Sequence, residues 1–132
     1  MNYEIIYKGR IKSRYNTLFQ EYMKRVNASV KCFQSWPSLQ KYLEGKSYII
    51  LSEKGSQLNS LEFFGFIRKQ AESGTIRFVL GDEKGFPKGI LENAFYSLSL
   101  SSMTLPHDLA KIILLEQLYR SECILKNKEY HR

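Results

Sequence analysis

Ser97, Ser99, Ser101, Ser102 and Thr104 place a run of hydroxyl groups just ahead of Leu105, Pro106 and His107. Hydroxyls and backbone donors at the rim of an apolar pocket can hold the polar edge of a cofactor. An imidazole beside them can orient a base or take its proton near neutral pH. The plainer reading is a helix start, with Thr104 as cap, Pro106 fixing the first turn and Asp108 favourable near the N-terminus. The two readings are compatible. Two further segments, Leu51-Ser52-Glu53-Lys54-Gly55 and Gly81-Asp82-Glu83-Lys84-Gly85, each follow a strand-like run. Their backbone groups can meet a ligand at the carboxyl edge of a sheet, and glycine permits close approach to an adenosine or a phosphate; ordinary glycine turns are the alternative. Neither segment is a GxxxxGKS/T phosphate loop or a GxGxxG dinucleotide turn, which argues against nucleotide hydrolysis and Rossmann cofactors.

Lys8, Arg10, Lys12 and Arg14, followed by Lys24, Arg25 and Lys31, can contact phosphates, with neighbouring tyrosines as stacking surfaces. Solvated charge is the simpler account of the same residues. Residues 127–132 add Tyr130, His131 and Arg132, which combine stacking, hydrogen bonding and charge; a frayed terminus is the default reading there. His107 and His131 are the only histidines, and no Ser, Cys or ligand cluster falls at a motif spacing, so neither a hydrolytic triad nor a metal site is expected.

These groups need elements to hold them. Residues 3–7, 29–34, 48–51, 75–80 and 94–100 read as strands, and the low polarity of 48–51 predicts burial on both faces of a parallel sheet. Between them, a helix is expected from the basic turn through Val26, with Leu18, Tyr22 and Val26 one turn apart. A short one follows over 36–44, with Pro37 near its start, and another ends before Gly74, with Leu58, Leu61, Phe64, Ile67 and Ala71 at helical spacing. Residues 88–93 form a further short helix, and Pro106 opens the longest. On that last helix Leu109, Ile112, Ile113, Leu114, Leu115, Leu118 and Tyr119 cover more arc than one stripe needs, which leaves part of it for a partner. The alternation predicts an α/β fold with a largely parallel sheet in a single domain spanning 1–132, and it leaves strand order open.

The chain has 132 residues, enough for one core, and 43% hydrophobic residues, a globular balance. Lys and Arg total 20 against 13 acids, a net +7 that favours polyanionic partners. Nine bases against three acids precede residue 51, so most of the surplus lies there. Cys32 and Cys123 form no framework, and residues 1–10 resemble neither a signal nor a transit segment. A reduced, cytoplasmic setting with no membrane association is expected.

Leu98-Ser99-Leu100-Ser101-Ser102-Met103-Thr104-Leu105-Pro106-His107, then Leu114-Leu115-Glu116-Gln117-Leu118-Tyr119-Arg120 and terminal Tyr130-His131-Arg132, together resemble the small SPOUT-class methyltransferase family that modifies N3 of pseudouridine in large-subunit (23S) ribosomal RNA. The resemblance spans nearly the whole chain. It implies a SPOUT α/β fold with a deep C-terminal trefoil knot, and S-adenosylmethionine held by Leu51 and Gly55, by Gly81 and Gly85, and by Leu100, Ser101, Ser102, Met103, Thr104 and Leu105. It also implies a homodimer acting on the assembled ribosome or large subunit. Arg10, Arg14, Tyr130, His131 and Arg132 would meet the RNA. His107 would orient the base or assist loss of the N3 proton, and His131 and Arg132 would stabilise charge from the tail.

The chain departs from that pattern at three places. Ser52 stands where the family usually has an acid. Gly81-Asp82-Glu83-Lys84-Gly85 replaces a common Gly-Gly-Pro-Glu-Gly, and Lys111 stands where arginine is common, keeping charge without the guanidinium fork. The competing class is therefore a dimeric rRNA-binding protein that keeps the fold with weakened catalysis. An unrelated hydrolase has no nucleophile, metal cluster or phosphate loop to support it.

Overall fold

A computed structural model describes residues 1–127. The elements run β1 (Tyr3–Lys8), α1 (Ser13–Met23), β2 (Ala28–Phe33), α2 (Trp36–Leu43), β3 (Ile49–Gln57), α3 (Ser60–Ala71), β4 (Ile76–Leu80), α4 (Lys88–Asn93), β5 (Tyr96–Ser99) and α5 (His107–Leu125). All five strands are parallel, in the order β2-β1-β4-β3-β5.

Side chains alternate across the pleat, so Tyr3, Ile5 and Tyr7 of β1 enter one core with Phe19 of α1, Phe63 and Ile67 of α3, and Leu114, Leu115 and Leu118 of α5. Ile6, Ile50 and Val79 enter the other, with Leu39 and Leu43 of α2 and Ile90 of α4. Helices thus cover both faces, which explains the continuous apolarity of the central strands. The chain crosses the α1/α3 face when it passes from β1 to β2 and from β3 to β4. It crosses the α2/α4 face when it moves the opposite way, from β2 to β3 and from β4 to β5. The four crossovers share one hand, as parallel connections require.

This order creates a crevice. Neighbours β1 and β4 pair through Tyr7 and Leu80. The chain leaves β1 over one face toward one edge and leaves β4 over the other face toward the opposite edge. Ligands of open α/β sheets favour such a switch point, outside the carboxyl ends of the strands.

Helix starts follow their caps. Ser35 accepts from the Ser38 amide at 3.3 Å, with Pro37 in the first turn of α2. Asn59 and Glu62 form a reciprocal capping box at the start of α3. Other expectations change. α1 ends at Met23, with Val26 buried in the turn beyond it, and the residue it buries is Phe19, while Leu18 is exposed. On α3, Phe63 and Ile67 face the core and Leu61 faces solvent. The cap of α5 is Pro106 without a side-chain bond, so the capping role expected of Thr104 is not realised. Much of the wide apolar arc of α5 is used within the chain, because this helix packs between α1 and α3.

The segment 52–55 is not a turn that ends β3. Leu51 and Ser56 both pair with Leu98, so the four residues between them bulge out of the ladder and pairing with β5 resumes at Ser56 and Gln57. Gly55 sits in that bulge, where an added Cβ would stand 2.6 Å from the Ser97 carbonyl oxygen. Only glycine fits there.

Candidate cofactor and nucleic-acid site

Three segments meet at the carboxyl edge of the sheet: residues 51–54 of β3, which run from the paired Leu51 into the bulge, the loop 80–86 after β4, and the loop 100–107 between β5 and α5. Together they enclose a cleft of about 370 Å³. Of the residues expected to bind a cofactor, Leu51, Gly81, Gly85, Leu100, Ser101, Met103 and Leu105 line it, and His107 stands on its rim. Gly55, Ser102 and Thr104 do not: Gly55 packs on the β5 backbone, and the other two are exposed. Sequence reasoning passed over Leu80, Phe86, Leu91 and Ala110, which complete the apolar wall. Leu80 carried the strongest signal, as the last apolar residue of a strand that delivers its loop to the site.

The serines are largely engaged within the fold. Ser99, buried, donates to the Ser101 carbonyl at 2.9 Å and reaches the Glu53 carbonyl at 3.4 Å, which ties the bulge to the third loop. Ser101 accepts from the Met103 amide at 3.0 Å. Met103 is 75% exposed, a large apolar side chain left at the mouth of the cleft.

The loop after β4 closes as a tight turn. The Gly85 amide donates to the Asp82 carbonyl and the Lys84 amide to Asp82 Oδ1, each at 2.9 Å. Gly85 takes φ +82°, a conformation that glycine adopts without steric penalty. Asp82 has a negative φ, so this turn needs no second glycine, and the change from the common family loop leaves the backbone unstrained. Lys8 reaches Asp82 Oδ2 at 3.4 Å. Partial burial alone would raise the Asp82 carboxyl, but the Lys84 amide, the Lys8 ammonium and the Trp36 side chain outweigh it and hold it below its ordinary value.

Under the rim lies a buried ion pair. Asp108 and Lys111 are each 2% exposed and meet at 2.8 Å. The Lys111 ammonium also lies 4.4 Å from the centre of the Tyr7 ring, and Asp108 Oδ2 accepts the Lys12 amide at 2.9 Å where α1 begins. Burial works against the Asp108 charge, yet the bonds from Lys111 and Lys12 prevail and its pKa is lowered. Burial draws Lys111 below its ordinary value, with Asp108 opposing. The 2.8 Å contact and the ring face indicate a charged pair at neutral pH. Asp108 is therefore a core residue that joins the starts of two helices, beyond any favourable term with the helix dipole.

A second cavity, about 290 Å³, opens beside the first, between residues 8–10 and the loop after β4; Asp82, Lys84 and His107 line both. Arg10 lines this second cavity. Arg14 lies outside it, exposed on α1 with its guanidinium 5.4 Å from the Tyr15 ring. Tyr130, His131 and Arg132 fall outside the described residues. Among the described residues no cluster of His, Cys, Asp and Glu can hold a metal, both cysteines are free, and no helix is long and apolar enough to cross a membrane.

The main cleft can take a ligand with an apolar ring and a hydroxylated part. Leu80, Leu91, Leu100, Leu105 and Phe86 offer apolar surface for a base, while Ser52, Glu53 and Ser101 offer groups for hydroxyls.

The family model "Predicted SPOUT methyltransferase" matches residues 32–131. Ribosomal RNA large subunit methyltransferase H of Kosmotoga olearia is 33% identical over 99% of each chain, and its namesake in Clostridium beijerinckii is 33% identical over the whole of both. That of Desulfovibrio desulfuricans is 44% identical over 63% of this chain and 54% of its own. Among solved structures, a probable methylase family protein from Haemophilus influenzae superposes with a TM-score of 0.64 at 11% identity, covering 99% of this chain and 70% of that one. The SpoU methyltransferase AviRb from Streptomyces viridochromogenes, in complex with AdoMet, gives 0.57 at 11% identity over 90% and 57% of the two chains. At such identities these two likenesses bear on the fold alone.

Proposed function

The chain belongs to the SPOUT methyltransferase family, and from that premise we propose that it methylates N3 of a pseudouridine in large-subunit ribosomal RNA, using S-adenosylmethionine. The observation that carries this reading is the meeting of three loops at one cleft with His107 on its rim. Leu51, Gly81, Gly85, Leu100, Ser101, Met103 and Leu105 hold the methyl donor, with the glycines allowing its close approach. When bound, the donor supplies an activated methyl group, so no protein nucleophile is needed. The chain's own task is alignment. His107 orients the target base and takes the N3 proton.

A second copy completes the site: the outer part of α5, around Leu109 and Ile113, meets its partner, and Tyr130, His131 and Arg132 of the tail reach the partner's cleft to hold charge or phosphate. The trefoil knot in the C-terminal part, the assembled ribosome or large subunit as substrate, and a cytoplasmic setting belong to the same proposal.

Methyl transfer to ribosomes lacking the mark tests it. His107→Ala is expected to lower kcat by on the order of a hundredfold, with donor binding by calorimetry unchanged, and Arg132→Ala to raise KM for the ribosome. Unchanged turnover in a folded His107→Ala protein would remove His107 from the reaction. A second reading, a dimeric rRNA-binding protein with weakened catalysis, draws on Ser52 and Lys84, which face the cleft where the family pattern differs. It predicts ribosome binding without donor binding or a methyl increment.

A further inference from the structure

The second cavity lies at the switch point between β1 and β4, where open α/β sheets bind ligands. Its walls come from segments more than seventy residues apart in sequence, the turn after β1 and the loop after β4. At about 290 Å³ it stands at the small end of ligand pockets, a size for a single nucleotide rather than a duplex. We infer that this cavity is a seat for the phosphate of one RNA nucleotide next to the target base, gripped from opposite rims by Arg10 and Lys84. The inference rests on the rRNA methyltransferase reading.

Three observations favour an anion here. Lys8, Arg10 and Lys84 face the cavity, and the acid Asp82 is already engaged by Lys8 and by the Lys84 amide. Among the described residues neither Arg10 nor Lys84 takes part in an ion pair, so both charges are available to a ligand. The walls are also fastened in advance. The Gly9 amide donates to the Phe33 carbonyl at 2.8 Å, Lys8 meets Asp82 at 3.4 Å, and the Lys12 amide is held by buried Asp108 at 2.9 Å. A prearranged rim spares the ordering that binding would otherwise require.

Glu83 contributes an opposing carboxylate to the wall and serves as an internal control. The geometry also links seat and chemistry, because His107 borders both cavities. A nucleotide whose phosphate lies between Arg10 and Lys84 carries the neighbouring base across His107 toward the cleft.

Affinity for large ribosomal subunits lacking the mark, measured across a series of KCl concentrations, tests the seat. Arg10→Met and Lys84→Met each remove one phosphate contact, so each is expected to weaken binding by on the order of fivefold at 0.1 M salt and to reduce the slope of log K against log salt by about one. Glu83→Gln is expected to tighten binding. Lys69→Met, on the exposed side of α3, is expected to change neither. Calorimetry with S-adenosylmethionine should show the same donor affinity for Arg10→Met, Glu83→Gln and Lys69→Met, and it separates any donor effect of Lys84→Met, whose residue also lines the main cleft, from its effect on the salt slope; circular dichroism reports the folding of all four. Unchanged slopes for folded Arg10→Met and Lys84→Met overturn the seat, as does an equal loss in Lys69→Met or a Lys84→Met that loses donor affinity alone. Wild-type protein that binds with this salt dependence yet transfers no methyl group supports the seat while refuting the catalytic reading.

Discussion

Asp108→Ala is expected to destabilise the chain by about 5 kcal/mol, an effect large for a single polar substitution. Asp108 and Lys111 meet at 2.8 Å with 2% exposure each. At that separation their gross attraction is about 6 kcal/mol for an effective dielectric of roughly 20, and desolvation of the two ions offsets most of it, so the intact pair adds little net stability. Removing the carboxylate alone is different, because it strands a buried ammonium at a cost of about 3–5 kcal/mol. It also takes the acceptor from the Lys12 amide at the start of α1, about 1 kcal/mol more. The Tyr7 ring face, 4.4 Å away, holds the cation in wild type and variant alike and so leaves the difference unchanged. Urea unfolding of Asp108→Ala, Lys111→Met and the double variant closes a double-mutant cycle. The double variant should lie within about 2 kcal/mol of wild type, and the Tm of Asp108→Ala should fall by on the order of 10–20 °C. The pH dependence has a definite sign. The folded pKa of Asp108 is depressed, so its stabilisation is present above the ordinary carboxylate range and is lost as pH falls through the folded value, more steeply in wild type than in the double variant. A single-variant cost below about 1 kcal/mol, or two singles that simply add, would refute the reasoning.

Gly55→Ala should cost about 1–3 kcal/mol and weaken binding in the main cleft, since its Cβ would meet the Ser97 backbone at 2.6 Å; thermal melts and donor calorimetry measure both. Tyr48→Phe removes a 2.6 Å bond to the Ile90 carbonyl and should cost about 1–2 kcal/mol in a urea melt, with hydrogen exchange rising in α4 before other helices. Burial pushes Tyr7 up to about 12 and raises Tyr3 in the same direction. The neutral rings therefore stabilise the fold fully below the ordinary phenol value, and that contribution is lost as pH rises through the folded values. For Tyr7 the loss should amount to about 2–3 kcal/mol between roughly pH 10 and 12, visible as alkaline unfolding that Tyr7→Phe delays.

The local signals in the chain were readable where short-range physics decides. The apolar runs 48–51 and 75–80 became β3 and β4, Pro106 marked the start of α5, and 88–93 became α4. What escaped depended on distant partners. Residues 52–57 look like a turn because Ser, Glu, Lys and Gly favour one, yet Ser56 and Gln57 rejoin a ladder with β5, more than forty residues on. Leu18 and Phe19 are equally apolar, and the packing of α1 against α5 decides between them. Asp108 resembles an ordinary first-turn acid, and nothing local reveals that Lys12 and Lys111 converge on it. Strand order fixes which loops become neighbours, so the cavity shared by Arg10 and Lys84 could not be seen before the topology was known.

That topology also governs how the chain acquires its structure. Tyr3 at the start of β1 pairs with Ala28 on one side and with Ile76 on the other, and α1 packs against α5, the last helix. During synthesis, an apolar strand edge waits for some seventy residues before its second partner emerges, and the core that Tyr3, Ile5 and Tyr7 enter lacks Leu114, Leu115 and Leu118 until the last helix is made. Loop closure over such separations slows folding relative to a fold built from local contacts. The nascent chain thus spends most of its synthesis with an adhesive edge open, and it completes its sheet late and cooperatively.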